Sequence, residues 1–206
     1  MQPTWGGIMT MHYSRIFSLC AALALLSAPA LAQVNASWAN DQATADADMS
    51  AAQYQDALTF YERAVAAAES APQDAATKAA ISKMLVSEGN CLLKLKRTQE
   101  ALAAYEQAAP LSPNPATAYF NICAVRYNAG DTTAGGIAAC DRAIQFNPAK
   151  ADAYFIKGSM LFAEATSANG KYVVPPGTVE TLNKYLELAP NGPHAGDTKA
   201  MLDSLK

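Results

Sequence analysis

The most reactive side chains in the body of this sequence belong to three cysteines and one histidine. Cys91, Cys123 and Cys140 are too far apart in sequence to form the Cys-x-x-Cys pair of thioredoxin-type chemistry. His194 follows a proline at an expected helix start, and no histidine or acid–base constellation surrounds it. We therefore interpret His194 as a surface residue at the beginning of a helix.

Motifs that bind phosphate or activate a nucleophile do not occur in the sequence. It has neither a glycine-rich phosphate loop nor a nucleophile elbow. We therefore expect a protein that is not an enzyme and that requires neither a metal ion nor a cofactor.

The charge of the chain argues against two classes of partner. Its 206 residues include 15 Lys and Arg against 18 Asp and Glu, for a formal net charge of −3. The basic residues form no stripe, so nucleic acid and an anionic membrane surface are not expected as partners. Alanine is abundant and β-branched residues are sparse outside 172–174, which favours helix throughout.

The first 32 residues have the composition of a secretory signal peptide. Arg15 supplies a positive charge and an apolar run covers 16–26. Ala30 and Ala32 fit the pattern read by signal peptidase, with cleavage after Ala32. The apolar run is too short for a bilayer, which takes about 20 residues, and no later stretch is apolar enough. We expect a periplasmic or secreted protein with no transmembrane segment after cleavage.

Helices are predicted for most of the remaining chain. The segment 33–45 is polar and alanine-rich without a sustained apolar period, so we expect a disordered leader there. From 54 to 68, apolar residues follow the i, i+3, i+4, i+7 rule of a helix with one buried face. Proline and glycine separate the later helical segments. These segments cover about 78–96, 98–109, 116–128, a helix that ends at 146, 151–165, 178–188 and 194–205.

The helical segments repeat in pairs, and the segment 116–148 is the central example. Matched residues recur at a fixed distance along the chain. The pairs that are 35 residues apart are Tyr119 and Tyr154, Ala108 and Ala143, and Pro113 and Pro148. A repeat of this length made of helix pairs is typical of a solenoid rather than of an enzyme pocket.

The pattern resembles tetratricopeptide repeats (TPRs) over most of the chain after the signal. Small residues stand where two helices approach closely, tyrosines and leucines fill the space between units, and a proline closes each unit. The residues that carry the resemblance are Gly89, Ala101, Tyr105, Ala108 and Pro113, then Tyr119, Asn121, Ile122, Gly130, Asp131, Ala143 and Pro148, then Tyr154, Gly158, Tyr185, Leu188 and Pro190.

The resemblance implies an all-α fold, a right-handed α-solenoid of about four TPR-like helix pairs with a C-terminal capping helix. The units would cover about 46–72, 82–115, 116–150 and 151–191 within a domain from 46 to 206. The cap would cover 194–205. One unit cannot bury its apolar face alone, so several must stack.

Two features depart from the TPR pattern. Gly135 and Gly136 fall inside the second helix of their unit, where a glycine costs about 0.5–1 kcal/mol relative to alanine. We prefer a helix that begins only at Ile137, the alternative being a soft point in the stack. The second departure is an insertion around 171–177 (KYVVPPG). We interpret it as a bridge with Tyr172 and Val174 packed onto the stack, the alternative being an extended segment that binds a partner.

In the TPR register, Cys123 and Cys140 occupy facing positions of one unit. A disulfide between them is possible in an oxidising compartment. Buried free thiols that act as small apolar residues are the preferred interpretation.

TPR proteins bind partners on the concave face, which takes fixed positions of each first helix. Transferred residue by residue, the resemblance places there Val86, Asn90, Leu93, Lys94, Phe120, Ala124, Tyr127, Asn128, Phe155, Ser159 and Phe162. Two rows of apolar and aromatic residues would line a groove for a peptide. One row consists of Val86, Phe120 and Phe155, and the other of Leu93, Tyr127 and Phe162. These residues would alternatively pack on one another.

One TPR subclass binds acidic chaperone tails through a clamp of lysine and arginine. The sequence retains Asn90 and Asn121 but has Val86, Asp152 and Ile156 where the clamp requires basic or long polar side chains. The clamp is therefore rejected.

The function that these observations favour is an exported, non-enzymatic scaffold or adaptor. It would bind a protein or peptide partner in the cell envelope through its concave face. The alternatives are a thiol-dependent or redox-responsive envelope protein that uses Cys123 and Cys140, and an accessory subunit of an envelope enzyme complex.

Overall fold

The structure is a computed structural model that describes residues 28–168 and 171–206. Residues 1–27, which hold most of the expected signal peptide, lie outside the described ranges. The described chain is mainly helical, as predicted. Its helices are α1 Ala28–Ser50, α2 Tyr54–Glu69, α3 Ala75–Lys94, α4 Thr98–Ala108, α5 Ala116–Asn128, α6 Ala134–Phe146, α7 Ala151–Ala163, α8 Thr178–Leu188 and α9 Ala195–Asp203.

The helices pack in consecutive pairs. Contacts are extensive within the pairs α1 and α2, α3 and α4, α5 and α6, and α7 and α8, and α9 packs on α8 at the end. The second helix of each pair also contacts the first helix of the next pair. One core of buried alanines, leucines and tyrosines therefore runs through the stack from Ala45 to Ala195.

Glycines set the spacing within two of the pairs. A Cβ atom on Gly89 would lie 2.5 Å from the ring of Tyr105, and one on Gly158 would lie 2.5 Å from Leu182. Both distances are shorter than van der Waals contact allows, so any larger residue would push the paired helices apart. The small residues predicted at these positions thus have the packing role that the sequence suggested.

The turn between α5 and α6 ends the first helix as predicted. Gly130 has a φ of 73°, a left-handed conformation that glycine adopts without steric cost. Its N–H donates to the carbonyl of Tyr127, and the N–H of Asp131 donates to the carbonyl of Arg126, both at 2.9 Å. This is the Schellman arrangement, which satisfies the last carbonyls of a helix.

The expected disordered leader over 33–45 is corrected by the structure, because these residues belong to α1. Ala45 is fully buried, Asp41 forms a 3.1 Å ion pair with Arg63 of α2, and Tyr61 donates a hydrogen bond to Asp46. The helix has few large apolar residues: Trp38 and Met49 pack against the core, and the rest of its contact surface consists of alanine and polar groups. Its sequence therefore lacks the apolar period that would have revealed it. The first pair accordingly begins well before residue 46.

The expected start of α6 at Ile137 is also corrected. The helix begins at Ala134 and includes both Gly135 and Gly136. The Asp131 carboxylate accepts hydrogen bonds from the backbone N–H of Thr133, at 3.0 Å, and from its hydroxyl. These bonds fix the turn just before the helix, which can therefore begin at Ala134 instead of at Ile137.

The insertion between α7 and α8 forms a short β-hairpin. Strand β1 (Thr166–Ala168) pairs antiparallel with β2 (Lys171–Val173), and Ser167 faces Tyr172. The Tyr172 ring lies 6.3 Å from that of Phe162 but remains 54% exposed. The hairpin therefore touches the stack through Tyr172 without burying it.

Within the described ranges, no helix has both the length and the apolar character needed to cross a membrane.

Candidate partner-binding groove

Two adjoining cavities lie beside the first turn of α5, and we call them together the groove. The first has a volume of about 200 Å³ and the second about 260 Å³. Thr117 lines both. The first is also lined by Ala79, Ser82, Lys83, Val86, Ser112, Asn114, Pro115 and Ala118, and the second by Ala116, Phe120, Ala143, Asn147 and Lys150.

Inter-helix connections position the groove. Ser112 accepts a hydrogen bond from the N–H of Asn114, and the Asn114 side chain in turn accepts one from the N–H of Ala116, both at 3.2 Å. These bonds hold the connection between α4 and α5 in one conformation and start α5 at Ala116. The side chains of Thr117 and Phe120 then project from the first turns of α5 into the groove.

Phe120 and Lys150 form the wall of the second cavity. The Lys150 ammonium nitrogen lies 4.2 Å from the centre of the Phe120 ring, within the range of a cation–π interaction. It also forms a 2.9 Å ion pair with Asp152. Phe120 is half-buried, so part of its ring forms cavity surface while the rest packs on the core.

A hydrogen-bonded asparagine connects the first helices α3 and α5. The side-chain carbonyl of Asn90 accepts a 2.7 Å hydrogen bond from the Tyr105 hydroxyl and a 3.4 Å hydrogen bond from the Asn121 amide. Burial raises the pKa of Tyr105, so the phenol remains a donor. Asn90 therefore has a structural role beside the groove, in addition to the partner contact predicted for it.

The predicted concave residues do not form one exposed stripe. Val86 and Phe120 line the groove, and Leu93, Lys94 and Asn128 are exposed on the first helices. Ser159, Tyr127 and Phe162 are partly buried. Phe155 is only 7% exposed, and its place in the exposed row is therefore corrected.

Phe155 is buried because other aromatic rings enclose it. The His194 imidazole stacks on its ring at a centroid distance of 3.9 Å, and Tyr127 and Tyr185 contact it at 6.4 and 5.6 Å. The backbone N–H of His194 donates to the Tyr185 hydroxyl at 2.9 Å. His194 thus packs the cap against α7 and α8, whereas the sequence had suggested only a surface position.

Two lysines in the groove were missed from the sequence. Lys83, in the middle of α3, and Thr117, in the first turn of α5, are one repeat apart in sequence, at a position omitted from the transferred set. The register that Lys83 shares with Thr117 was the signal that could have identified Lys83 as a groove residue. Lys150 precedes α7, and only the packed structure brings it over Phe120.

The cysteines divide into a pair and a single thiol. Cys123 and Cys140 are joined by a disulfide, with their Cα atoms 4.9 Å apart and both residues fully buried. The preference for two free thiols at these positions is therefore corrected. Cys91 is a free, buried thiol whose Sγ lies 3.3 Å from the sulfur of Met49.

The cysteines have none of the features of a reactive site. Burial raises the pKa of Cys91 to about 11, so its thiol is protonated and a poor nucleophile near neutral pH. The disulfide lies inside the α5–α6 pair, out of reach of a large redox partner. In the described part of the chain, no group of three or more His, Cys, Asp and Glu residues is placed to hold a metal ion.

Solved structures of TPR proteins share this fold. YrrB, a TPR protein with an unusual peptide-binding site, has a TM-score of 0.60 at 17% identity, covering 90% of this chain and 87% of YrrB. A TPR protein from Parabacteroides merdae has a TM-score of 0.65 at 16% identity, covering 81% of this chain and 59% of its own.

A third structure is the first TPR of Spaghetti (RPAP3) bound to the HSP90 peptide SRMEEVD. Its TM-score is 0.52 at 19% identity, covering 62% of this chain and 94% of that domain. No family model matches the sequence, and no curated protein matches it. The structural likeness shows the fold, so the predicted all-α solenoid of TPR-like helix pairs is confirmed.

Proposed function

We propose that this chain is a non-enzymatic scaffold or adaptor of the cell envelope that binds a segment of a partner protein along the groove. The observation that carries the proposal is the groove itself. It combines an apolar wall, formed by Val86 and Phe120, with hydroxyl, amide and ammonium groups at its rim. Such a mixture of surfaces suits an extended peptide, whose backbone and side chains need both kinds of contact.

The structural neighbours support this proposal by analogy of fold. YrrB has a peptide-binding site, and the RPAP3 domain is bound to an HSP90 peptide. At identities of 17% and 19%, they make peptide binding a reasonable expectation without indicating which peptide.

Export is supported by two independent features. The sequence of residues 1–32 has the composition of a signal peptide that is cleaved after Ala32. The disulfide between Cys123 and Cys140 is a bond that persists in oxidising compartments such as the periplasm and is rare in the cytosol. Both features favour a periplasmic or secreted protein.

A thiol-dependent function is less well supported. The two cysteines that would carry it are fully buried, and a disulfide without access to solvent exchanges poorly with other thiols. We assign this disulfide a structural role.

Crosslinking mass spectrometry in the native cells tests the adaptor function. The wild-type chain and Phe120→Ala are compared with Tyr172→Ala, a matched aromatic control on the exposed hairpin. We expect wild type and Tyr172→Ala to capture the same partner and Phe120→Ala to lose it. If all three variants capture the same proteins, or if wild type captures none, the proposal fails. Circular dichroism checks that each variant is folded.

Fractionation tests export independently of the partner. We expect the chain in the periplasm or the medium. N-terminal sequencing should begin at Gln33, and the intact mass should lack residues 1–32. A cytoplasmic chain that retains residues 1–32 would contradict the proposed location.

A further inference from the structure

The groove is positively charged on a protein whose formal net charge is −3. Lys83 lines the first cavity and Lys150 the second, and no aspartate or glutamate lines either one. Lys150 forms an ion pair with Asp152, whereas Lys83 has no ion-pair partner among the described residues. The local charge of the groove is therefore opposite to that of the whole chain.

The first turn of α5 strengthens this positive potential. Thr117 stands in that turn and lines both cavities. The first N–H groups of a helix have no partner within it, and they form the positive end of the helix dipole. The Ala116 N–H donates to Asn114 and the Tyr119 N–H to the carbonyl of Pro115, which leaves the N–H groups of Thr117 and Ala118, two residues that line the first cavity.

Apolar surface adjoins each lysine. Val86 and Ala118 lie in the first cavity with Lys83, and Phe120 and Ala143 lie in the second with Lys150. Each cavity, at about 200 and 260 Å³, is smaller than the roughly 300 Å³ at which pockets for drug-sized ligands begin. Two small adjoining cavities suit successive side chains of an extended peptide better than one compact ligand.

From this geometry we infer that the groove selects peptide segments in which an aspartate or glutamate lies next to a large apolar residue. The carboxylate would contact Lys83 and the first turn of α5, and the apolar side chain would pack on Phe120 beneath Lys150. The inference rests on the proposed function, because it specifies the partner of the same groove.

This arrangement differs from the lysine and arginine clamp of chaperone-binding TPRs. The clamp positions hold Val86, Asp152 and Ile156, none of which is basic. The cations here come instead from the middle of α3, at Lys83, and from the connection before α7, at Lys150. The proposed anion site thus lies beside the first turn of α5, between Lys83 and Lys150.

Selection from a library of random 12-residue peptides displayed on phage tests the inference on the mature chain. We expect enriched peptides to combine Asp or Glu with Leu, Ile, Met or Phe within two residues. Enrichment of neutral or basic peptides that still require Phe120 would overturn the inference and leave the proposed function standing. Selection of no groove-dependent peptide would overturn both.

Fluorescence anisotropy with the most enriched peptide then tests the lysines. We expect Lys83→Ala and Lys150→Ala each to weaken binding about fivefold, in keeping with about 1 kcal/mol for an exposed ion pair. Lys199→Ala, a matched exposed lysine on α9, should bind as wild type does. Equal binding by all three variants, or an affinity unchanged between 50 and 500 mM salt, would refute the role of charge.

Discussion

The α3–α4 and α5–α6 pairs hold their helices together by different chemistry at the same place in the repeat. In α3–α4, Gly89 lies directly under the Tyr105 ring, whose hydroxyl donates to Asn90. In α5–α6, Cys123 occupies the place of Gly89 and is joined to Cys140. One pair is thus closed by packing and a hydrogen bond, and the other by a covalent bond.

The difference follows the local sequences of the two pairs. The α6 helix begins with Gly135 and Gly136 in its first turn, and glycine loses more backbone entropy on folding than any other residue. The α4 helix contains no glycine. A cross-link raises stability mainly by restricting the unfolded chain, so it offsets this kind of weakness. Repeats of one fold can therefore require the same proximity of helices and meet it by different means.

The largest expected effect is on the pair closed by packing. Tyr105→Ala removes a fully buried ring from above Gly89 and should lower the free energy of unfolding by about 3–5 kcal/mol. Urea titration followed by circular dichroism measures this change. Tyr105→Phe, which removes only the hydroxyl bonded to Asn90, is the matched control and should cost about 1 kcal/mol. A loss below 1 kcal/mol for Tyr105→Ala would show that the ring does not close the pair.

The second prediction concerns the pair closed by the disulfide. The bond spans a sequence separation of 17 residues, and reduction should lower the free energy of unfolding by about 3 kcal/mol. Unfolding is measured with and without a phosphine reductant, and Cys91→Ala serves as the control because Cys91 is not in the bond. A double replacement of Cys123 and Cys140 by alanine should lose a similar amount. Because the bond is buried, the chain is reduced in urea before refolding, and an intact mass confirms the reduction. Identical stability of the oxidised and reduced chains would then contradict the role given to the bond.

The sequence predicted those parts of the fold that depend on a repeated packing position. Gly89 and Gly158 stand at corresponding positions of their first helices, and periodicity finds such positions. The residues that cover them, Tyr105 and Leu182, follow at different separations because the hairpin is inserted between α7 and α8. The helix α1 was missed because its contacts with α2 use Ala45 and polar groups such as Asp41, which have no apolar period. The helix α2 was predicted from its own apolar period, whereas α1 is recognised only through its contacts with α2.

The candidate site was predicted only in part, for a similar reason. Val86 and Phe120 were found because their positions recur in each first helix, and both line the groove, while their contact with a partner stays a prediction. Phe155 shares that register, but His194 stacks on it from a helix outside the repeat, and no repeat pattern contains that contact. Lys150 lies over Phe120 because of a turn between units, where the register carries no information.

A third prediction compares the residues that precede Gly89 and Cys123. Ile122 is buried in α5, whereas the equivalent residue of α3 is Glu88. Burial, followed by the nearby carboxylates of Glu62 and Glu69, raises the pKa of Glu88 to about 7, against the opposing effect of Arg97. Ionising Glu88 therefore costs more in the folded chain than in the unfolded chain.

The sign of the pH dependence follows from this raised pKa. The stability that Glu88 contributes is fully present below the pKa of about 4.3 that its carboxyl has in the unfolded chain. This stability is lost as the pH rises through the folded pKa of about 7, because the folded chain must then ionise a half-buried carboxyl. Glu88→Gln should thus stabilise the chain by about 1–3 kcal/mol at pH 8 and change little at pH 4. Urea unfolding at both pH values measures the difference, with Glu187→Gln, an exposed carboxylate on α8, as the control. An equal effect of Glu88→Gln at both pH values would contradict the prediction.

The last comparison separates the two glycines of α6, and the smallest effect is expected at Gly135. A Cβ atom on Gly135 would lie 3.2 Å from the Arg126 guanidinium, a side-chain end that can shift by a few tenths of an ångström. Gly135→Ala should therefore stabilise the chain by up to about 0.5–1 kcal/mol through helix propensity.

Gly136→Ala should act in the opposite direction. Its Cβ would lie 2.6 Å from the carbonyl oxygen of Asp131, a backbone atom held by the Schellman turn before the helix. The expected loss is about 1–3 kcal/mol, measured by the same urea titration. We expect Gly135→Ala to raise the free energy of unfolding in both the oxidised and the reduced chain. In each form the replacement removes one glycine, and with it some backbone entropy, from the unfolded chain. Destabilisation by both alanines would instead show that α6 requires two glycines for packing, and the entropic account of the cross-link would then lose its support.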